Sequence, residues 1–260
     1  MRKIELFKGD ALEVMDELIT RGIVVDAIIC DLPYGVTNCK WDSVIPFDEM
    51  WLRLNKLIKL NGAIVLFGSE PFSSALRMSN IKNYKYDWVW EKHKPSNFSL
   101  AKKQPMKYHE LIHVFYKKQS TYNPQMIQRK SKRIQQGIDN NYTGVSINKG
   151  ELNSLDTVKR KFSKYDPDYK LPSMNLKINA VQSNSREKTI HPTQKPVALM
   201  EYLIKTYTNE GETVLDFTMG SGTTAVACLN TGRNFIGFEL DPAYCKIAQD
   251  RTNYIRKGLF

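Results

Sequence analysis

The chain has 260 residues, 42% of them hydrophobic and 25% charged, with a formal net charge of +11. That is enough apolar material for a full core, and it excludes a wholly disordered or collagen-like chain and one that needs disulfide staples. No apolar run approaches the roughly 18 residues of a membrane span, and the first residues carry no secretory signal, so a cytoplasmic protein with no membrane partner is expected.

The elements follow in chain order. Residues 4–7 read as a short strand. Residues 11–20 carry Leu12, Met15, Leu18 and Ile19 at helical spacing, and Asp10 with Glu13 reads as a capping box at that helix start. Residues 24–30 form a buried-strand pattern that runs straight into Asp31-Leu32-Pro33-Tyr34. An amphipathic helix over 47–60 is closed by Asn61-Gly62, a helix-stop signal. Strands follow over 63–67, 86–90 and 110–116. Strands alternating with helices predict a parallel α/β sheet.

From about residue 120 the rhythm stops. Residues 120–188 hold 13 basic side chains against 6 acidic ones, so +7 of the total +11 lies there. Tyr122, Tyr142, Phe162, Tyr165 and Tyr169 are interleaved with those charges. Cations that seek phosphates among aromatics that stack on bases suit nucleic acid, and a long solvated insertion is the alternative. The rhythm returns with a helix over 197–207, a strand over 213–215 ending at Asp216, a helix over 223–229, a strand over 234–238 ending at Glu239, and a last helix over 243–254.

The four cysteines, Cys30, Cys39, Cys228 and Cys245, form no C-x-x-C pair, and His93, His109, His113 and His191 do not stand at zinc-site spacing from them. Free thiols in a reducing compartment and no metal site are expected.

Two loops carry chemistry. Asp216-Phe217-Thr218-Met219-Gly220-Ser221-Gly222-Thr223-Thr224 lies between a strand and a helix, and its glycines allow a tight turn and a close approach of backbone to ligand. Glu239 closes the next strand, 17 positions after Gly222, where an acid can bind both ribose hydroxyls of a nucleoside. The lysine of a P-loop and the third glycine of a dinucleotide fingerprint are missing. Asp216 would repel a pyrophosphate but suits a cationic ligand, and S-adenosylmethionine, with ammonium and sulfonium charges, fits better than NAD. Helix capping is the alternative for Asp216. A side chain at Gly222 is expected to fill ligand space, so Gly222→Val should remove cofactor binding.

Asp31-Leu32-Pro33-Tyr34 stands at the carboxyl end of a strand, where open α/β sheets bind ligands. The exocyclic amine of adenine is a poor nucleophile because its lone pair is delocalised into the ring. The Asp31 carboxylate accepting one N–H, and the Leu32 main-chain carbonyl accepting the other, would hold the nitrogen towards a tetrahedral shape. Tyr34 offers a face for the base, and Pro33 stiffens the turn. An ordinary Asp-x-Pro turn is the alternative.

The first of these motifs resembles the catalytic motif of amino-group DNA methyltransferases, and the Asp216–Thr224 run resembles their S-adenosylmethionine motif. His191-Pro192-Thr193-Gln194-Lys195-Pro196 resembles the segment before that motif in the beta-group enzymes, whose order is catalytic half, target-recognition insertion, cofactor half. The match covers the chain outside residues 119–188. It implies a Rossmann-like α/β methyltransferase fold, with a mostly parallel seven-stranded sheet, helices on both faces and an inserted target-recognition region. Residues 1–118 would be the catalytic half, 119–188 the insertion and 189–260 the cofactor half. Catalytic roles would fall to Asp31, Leu32, Pro33 and Tyr34. Asp31, Asp216, Phe217, Gly220, Gly222, Thr223 and Glu239 would line the cofactor pocket, with Thr193 and Lys195 at the cofactor's carboxylate end. Asp10 would lie near its adenine, although capping is an equally good reading of Asp10. Leu32 stands where the family usually has proline, but only a main-chain carbonyl is needed there.

An Asp at the first position of the catalytic motif resembles the adenine-N6 members; cytosine-N4 members more often have Ser. The resemblance therefore implies a site-specific DNA adenine-N6 methyltransferase that flips its target out of double-stranded DNA. It leaves room for a homodimer and for a cognate restriction endonuclease. The alternatives are methylation of cytosine N4, RNA adenine or a glutamine side chain, and an inactive DNA-binding module. The basic, aromatic insertion argues against a protein substrate. Intact Asp31, Tyr34, Asp216 and both glycines argue against lost activity.

Overall fold

A computed structural model describes residues 2–35, 42–129, 168–181, 187 and 194–256. The elements are β1 (Ile4–Lys8), α1 (Ala11–Thr20), β2 (Val25–Cys30), α2 (Phe47–Leu57), β3 (Ile58–Gly68), α3 (Phe72–Ser79), β4 (Tyr84–Glu91), β5 (His109–Phe115), β6 (Ile127–Gln128), β7 (Tyr169–Lys170), β8 (Asn175–Lys177), α4 (Val197–Tyr207), β9 (Thr213–Asp216), α5 (Thr223–Thr231), β10 (Asn234–Glu239) and α6 (Pro242–Arg256). They form two compact units, residues 1–123 with 173–260, and residues 124–172. In the smaller unit β6 and β7 pair antiparallel, and Arg129 Nε donates to the Tyr169 carbonyl at 3.1 Å.

The larger unit is built on one sheet of strand order β1-β10-β9-β2-β3-β5-β4-β8. Only β5 runs against the others. Strand residues alternate between faces, so a sheet covered on both sides needs continuous apolar runs. β2 and β3 supply them. Ala27, Ile29, Ala63 and Val65 pack with α4 and α5 through Leu199, Leu203 and Ala225. Ile28, Cys30, Ile64 and Leu66 face Met15 and Leu18 of α1, Leu54 of α2 and Leu76 of α3. Each of the Ile, Val, Leu and Met side chains among them, once buried, contributes on the order of 1.5–3 kcal/mol. No described helix is long and apolar enough to cross a membrane.

Three features differ from the expectation. First, α2 stops at Leu57, and Ile58 is already extended. Asn61-Gly62 lies inside β3, not past a helix end. A Cβ on Gly62 would come within 2.7 Å of the Asp26 carbonyl oxygen, where the β2–β3 register shifts; the glycine serves a close backbone approach beside a bulge. Second, α3 has no counterpart among the expected elements, because its short Ser-rich stretch carries few periodic apolar positions. Third, an eighth strand joins the expected seven. β8 pairs with the otherwise open edge of β4, buries Leu176, and receives the Trp90 indole N–H on the Ile178 carbonyl at 2.8 Å. That pairing covers an exposed edge and carries the sheet into the stretch 119–188.

Candidate active site

Parallel strands β1, β10, β9 and β2 lie side by side, so the loops leaving their carboxyl ends converge. Gly9-Asp10 follows β1, Glu239 ends β10, Asp216 ends β9, and Asp31 follows β2. They border a cleft of about 270 Å³ lined by Asp10, Asp31, Leu32, Pro33, Phe217, Thr218, Gly220 and Glu239, with Val44, Ile45, Pro46 and Tyr244. A smaller hollow beside it is lined by Asp31, Lys195, Asp216, Gly220, Ser221 and Thr223.

Asp31 is the junction of the two. Its Oδ1 accepts the Tyr34 hydroxyl at 2.9 Å, and its Oδ2 takes Lys195 Nζ at 2.5 Å. The main-chain carbonyl of Asp31 accepts Thr218 Oγ1 at 2.7 Å, which ties the loop after β2 to the loop after β9. Tyr34 packs on Phe72, with ring centroids 5.1 Å apart. Asp42 Oδ1 accepts the Gly35 N–H at 2.8 Å.

Behind Asp31 stands a buried chain of alternating charge. Lys195 also lies 3.5 Å from Glu110 Oε2, and Lys92 donates to Glu110 Oε1 at 2.7 Å. Burial raises the Asp31 pKa, Lys195 offsets part of that rise, and Glu110 adds to it. Glu110 feels the same burial, yet Lys195 and Lys92 together hold it below the ordinary value. Burial would depress Lys195, but Asp31 and Glu110 outweigh it and raise its pKa. One carboxylate with two lysines stays ionised readily. The other, sharing a single lysine, keeps a higher proton affinity.

In the hollow beside the cleft, Asp216 is 3% exposed and its pKa is pushed up to about 6 by burial. Its Oδ2 accepts Thr224 Oγ1 at 2.5 Å and its Oδ1 accepts the Thr218 N–H at 3.2 Å. Glu239 accepts the N–H groups of Gly220 and Asp241 at 2.9 and 2.8 Å, and burial raises its pKa too. Two acids held in partly dry surroundings, Glu239 in the cleft and Asp216 in the hollow beside it, favour a cation or polyhydroxyl partner, which matches the charge and ribose of S-adenosylmethionine.

The cleft and hollow thus gather Asp10, Asp31, Leu32, Pro33, Lys195, Asp216, Phe217, Gly220, Thr223 and Glu239, with Tyr34 bonded to Asp31. Thr193 lies outside the described residues, as do His191, Pro192, Cys39, Lys130, Lys132, Arg133, Lys159, Arg160 and Lys161. Asp10 caps α1, its Oδ1 accepting the N–H groups of Leu12 and Glu13 at 2.8 and 3.4 Å. Lys195 sits against Asp31 and Glu110.

Gly222 needs a different account from ligand space. It has φ +77° at the start of α5, and a Cβ there would meet Ala248 of α6 at 2.7 Å. Gly222→Ala is expected to cost about 1–3 kcal/mol through left-handed backbone and that clash. Ala248→Gly in the same chain should recover little of it, because the Ala248 Cα still lies 2.9 Å from that Cβ. Denaturant unfolding checks this; no loss in the single variant would refute it.

Thr218, Glu110 and Lys92 are site residues that the sequence does not single out. Thr218 lies within the motif. Glu110 opens an apolar strand, a position where an acid is unremarkable, and only the fold brings it to Lys195.

A DNA methylase family model, of the N6/N4 methyltransferase class, matches residues 25–250. Type II methyltransferase M2.DpnII of Streptococcus pneumoniae is 28% identical over 276 residues, 96% of this chain and 89% of its own. Type II methyltransferase M.BglI of Bacillus subtilis is 49% identical over 75 residues, which span 28% of this chain and only 22% of that protein. The crystal structure of an M1.HpyAVI–SAM complex aligns with TM-score 0.64 at 29% identity, covering 96% of this chain and 99% of that one.

Proposed function

Since the chain belongs to the N6/N4 DNA methylase family and uses S-adenosylmethionine, we propose that it methylates the N6 amine of adenine, flipped out of duplex DNA at a specific site. The observation that carries this reading is Asp31, a half-buried carboxylate held between Tyr34 and Lys195 and shared by a cleft that Glu239 lines and a hollow that Asp216 lines. The cofactor supplies an electrophilic methyl group. The remaining work belongs to the chain. Both Asp31 oxygens are engaged once, yet each keeps a lone pair for an incoming N–H. Asp31 takes one amine proton in a hydrogen bond and the Leu32 carbonyl takes the other, which aims the nitrogen lone pair. Once methylated, that nitrogen is strongly acidic, and the raised proton affinity of Asp31 suits it to receive the released proton. Positioning and electrostatics carry the rate.

The adenine assignment rests on a carboxylate at position 31. The Type II relatives support a restriction–modification setting; a cognate endonuclease as partner, a homodimer as a further assembly and the cytoplasm as location belong to the same proposal. DNA from cells expressing the chain, read for modified bases by long-read sequencing, is expected to carry N6-methyladenine in one short motif. N4-methylcytosine in its place would overturn the base assignment.

The insertion is expected to hold the duplex. Lys159-Arg160-Lys161 is too dense for every member to read a base, so most of the run would touch phosphates. Replacing all three with alanine should weaken binding to all DNA sequences roughly alike. It should also shrink the slope of log affinity against log salt by about one unit for each phosphate that is no longer neutralised. An unchanged slope would make the run a solvated surface.

A further inference from the structure

Positive charge is not confined to residues 119–188. The link from β4 to β5, residues 92–108, holds five lysines and His93 and no acid. β4 runs parallel to β2 and β3, so this link leaves the same sheet edge as Asp31. Its root is joined to that carboxylate through Lys92, Glu110 and Lys195. Lys107 Nζ donates to Ser69 Oγ just past the end of β3.

The link has a shape of its own. Asn97 Nδ2 donates to the Pro105 carbonyl at 3.0 Å, and Asn97 Oδ1 accepts the Lys107 N–H at 2.6 Å. The Ser96 N–H donates to the Lys107 carbonyl at 3.0 Å. Beyond this clamp, Phe98 begins a single 3-10 turn, Phe98–Leu100, and is 77% exposed. Lys94, Lys102 and Lys103 are exposed around it. One exposed phenyl ring alone needs no explanation. This one is held out by a clamped, acid-free loop on the edge where the target base must arrive.

We propose that residues 92–108 form a second contact to duplex DNA, in which Phe98 stacks on a base beside the flipped target and Lys94, Lys102 and Lys103 neutralise backbone phosphates. The proposal rests on the DNA-methylating reading above and adds a contact that the insertion does not supply. Flipping a base breaks stacking on both its neighbours, and an aromatic ring can restore one of those contacts. Three lysines with no acid among them fit a phosphate backbone by charge.

The test uses the full chain and a duplex that it methylates, with binding followed over a salt series. Lys94→Gln with Lys102→Gln and Lys103→Gln should flatten the log affinity against log salt slope by up to about three units. Phe98→Ala should weaken duplex binding and lower methylation at limiting DNA by roughly 5- to 100-fold, and Phe98→Trp should restore both. S-adenosylmethionine affinity by calorimetry should hold in every variant, which shows that the fold and cofactor site are intact. Wild-type methylation with unchanged slope and rate in the variants would overturn this inference alone. So would binding to phosphatidylserine vesicles that the lysine changes abolish while the DNA slope stays put. A wild-type chain that neither binds nor methylates DNA would overturn the functional reading, and this inference with it.

Discussion

Asp31→Ala is expected to abolish methyl transfer, a loss of at least about 10³-fold in rate, while S-adenosylmethionine binding stays within about tenfold. In the proposed function the carboxylate acts on the target amine, so the loss would be one of chemistry. The fold should survive, because Lys195 keeps Glu110 as a partner at 3.5 Å, and the truncation does not leave an unpaired buried cation. Calorimetry and a transfer assay on the same preparation separate the two effects. Cofactor binding lost along with activity would contradict the role given to Asp31.

Asp216→Asn is expected to move stability and cofactor affinity in opposite directions. Its folded pKa is about 6 against a reference of 3.8. Protonated Asp216 therefore stabilises the fold. That contribution is complete below about pH 4 and is lost as pH rises through about 6. At neutral pH the buried charge costs on the order of 3 kcal/mol. Asparagine keeps the shape and removes the charge, so at pH 7 the ligand-free variant should melt higher, and its stability should change less between pH 4 and 7. If Asp216 faces the cationic cofactor as proposed, the same change removes that anion, and affinity should fall by at least about tenfold. Such a conflict between stability and function is common at sites built for charge. A variant that melts lower at pH 7, or binds cofactor as well as before, would refute the assignment.

What the sequence made legible was local. Residues 24–30 and 63–67 announce buried strands because both faces are apolar. The loops at Asp31 and Asp216 stand out because turn residues and acids follow directly on strands. Distant pairings leave no such trace. Glu110 and Lys92 become site residues only because β4 and β5 bring them beside Lys195. Gly62 gives the same local signal whether it stops a helix or lets two backbones approach, and the packing on Asp26 decides which. The role of Gly222 is hidden for the same reason, since Ala248, which a Cβ at position 222 would strike, comes from another helix. The expectation for Asp10 left capping and cofactor contact open; the structure shows the cap, and the residue also borders the cleft.

The central claim is that the Asp31 loop directs a methyl group onto an adenine amine. Its most direct test incubates the purified chain with S-adenosylmethionine, tritiated in the methyl group, and duplex DNA, then digests the DNA to nucleosides for chromatography. The account predicts label in N6-methyldeoxyadenosine with the wild-type chain and none with Asp31→Ala. Label in N4-methyldeoxycytidine, or label on adenine that survives the loss of Asp31, would contradict it.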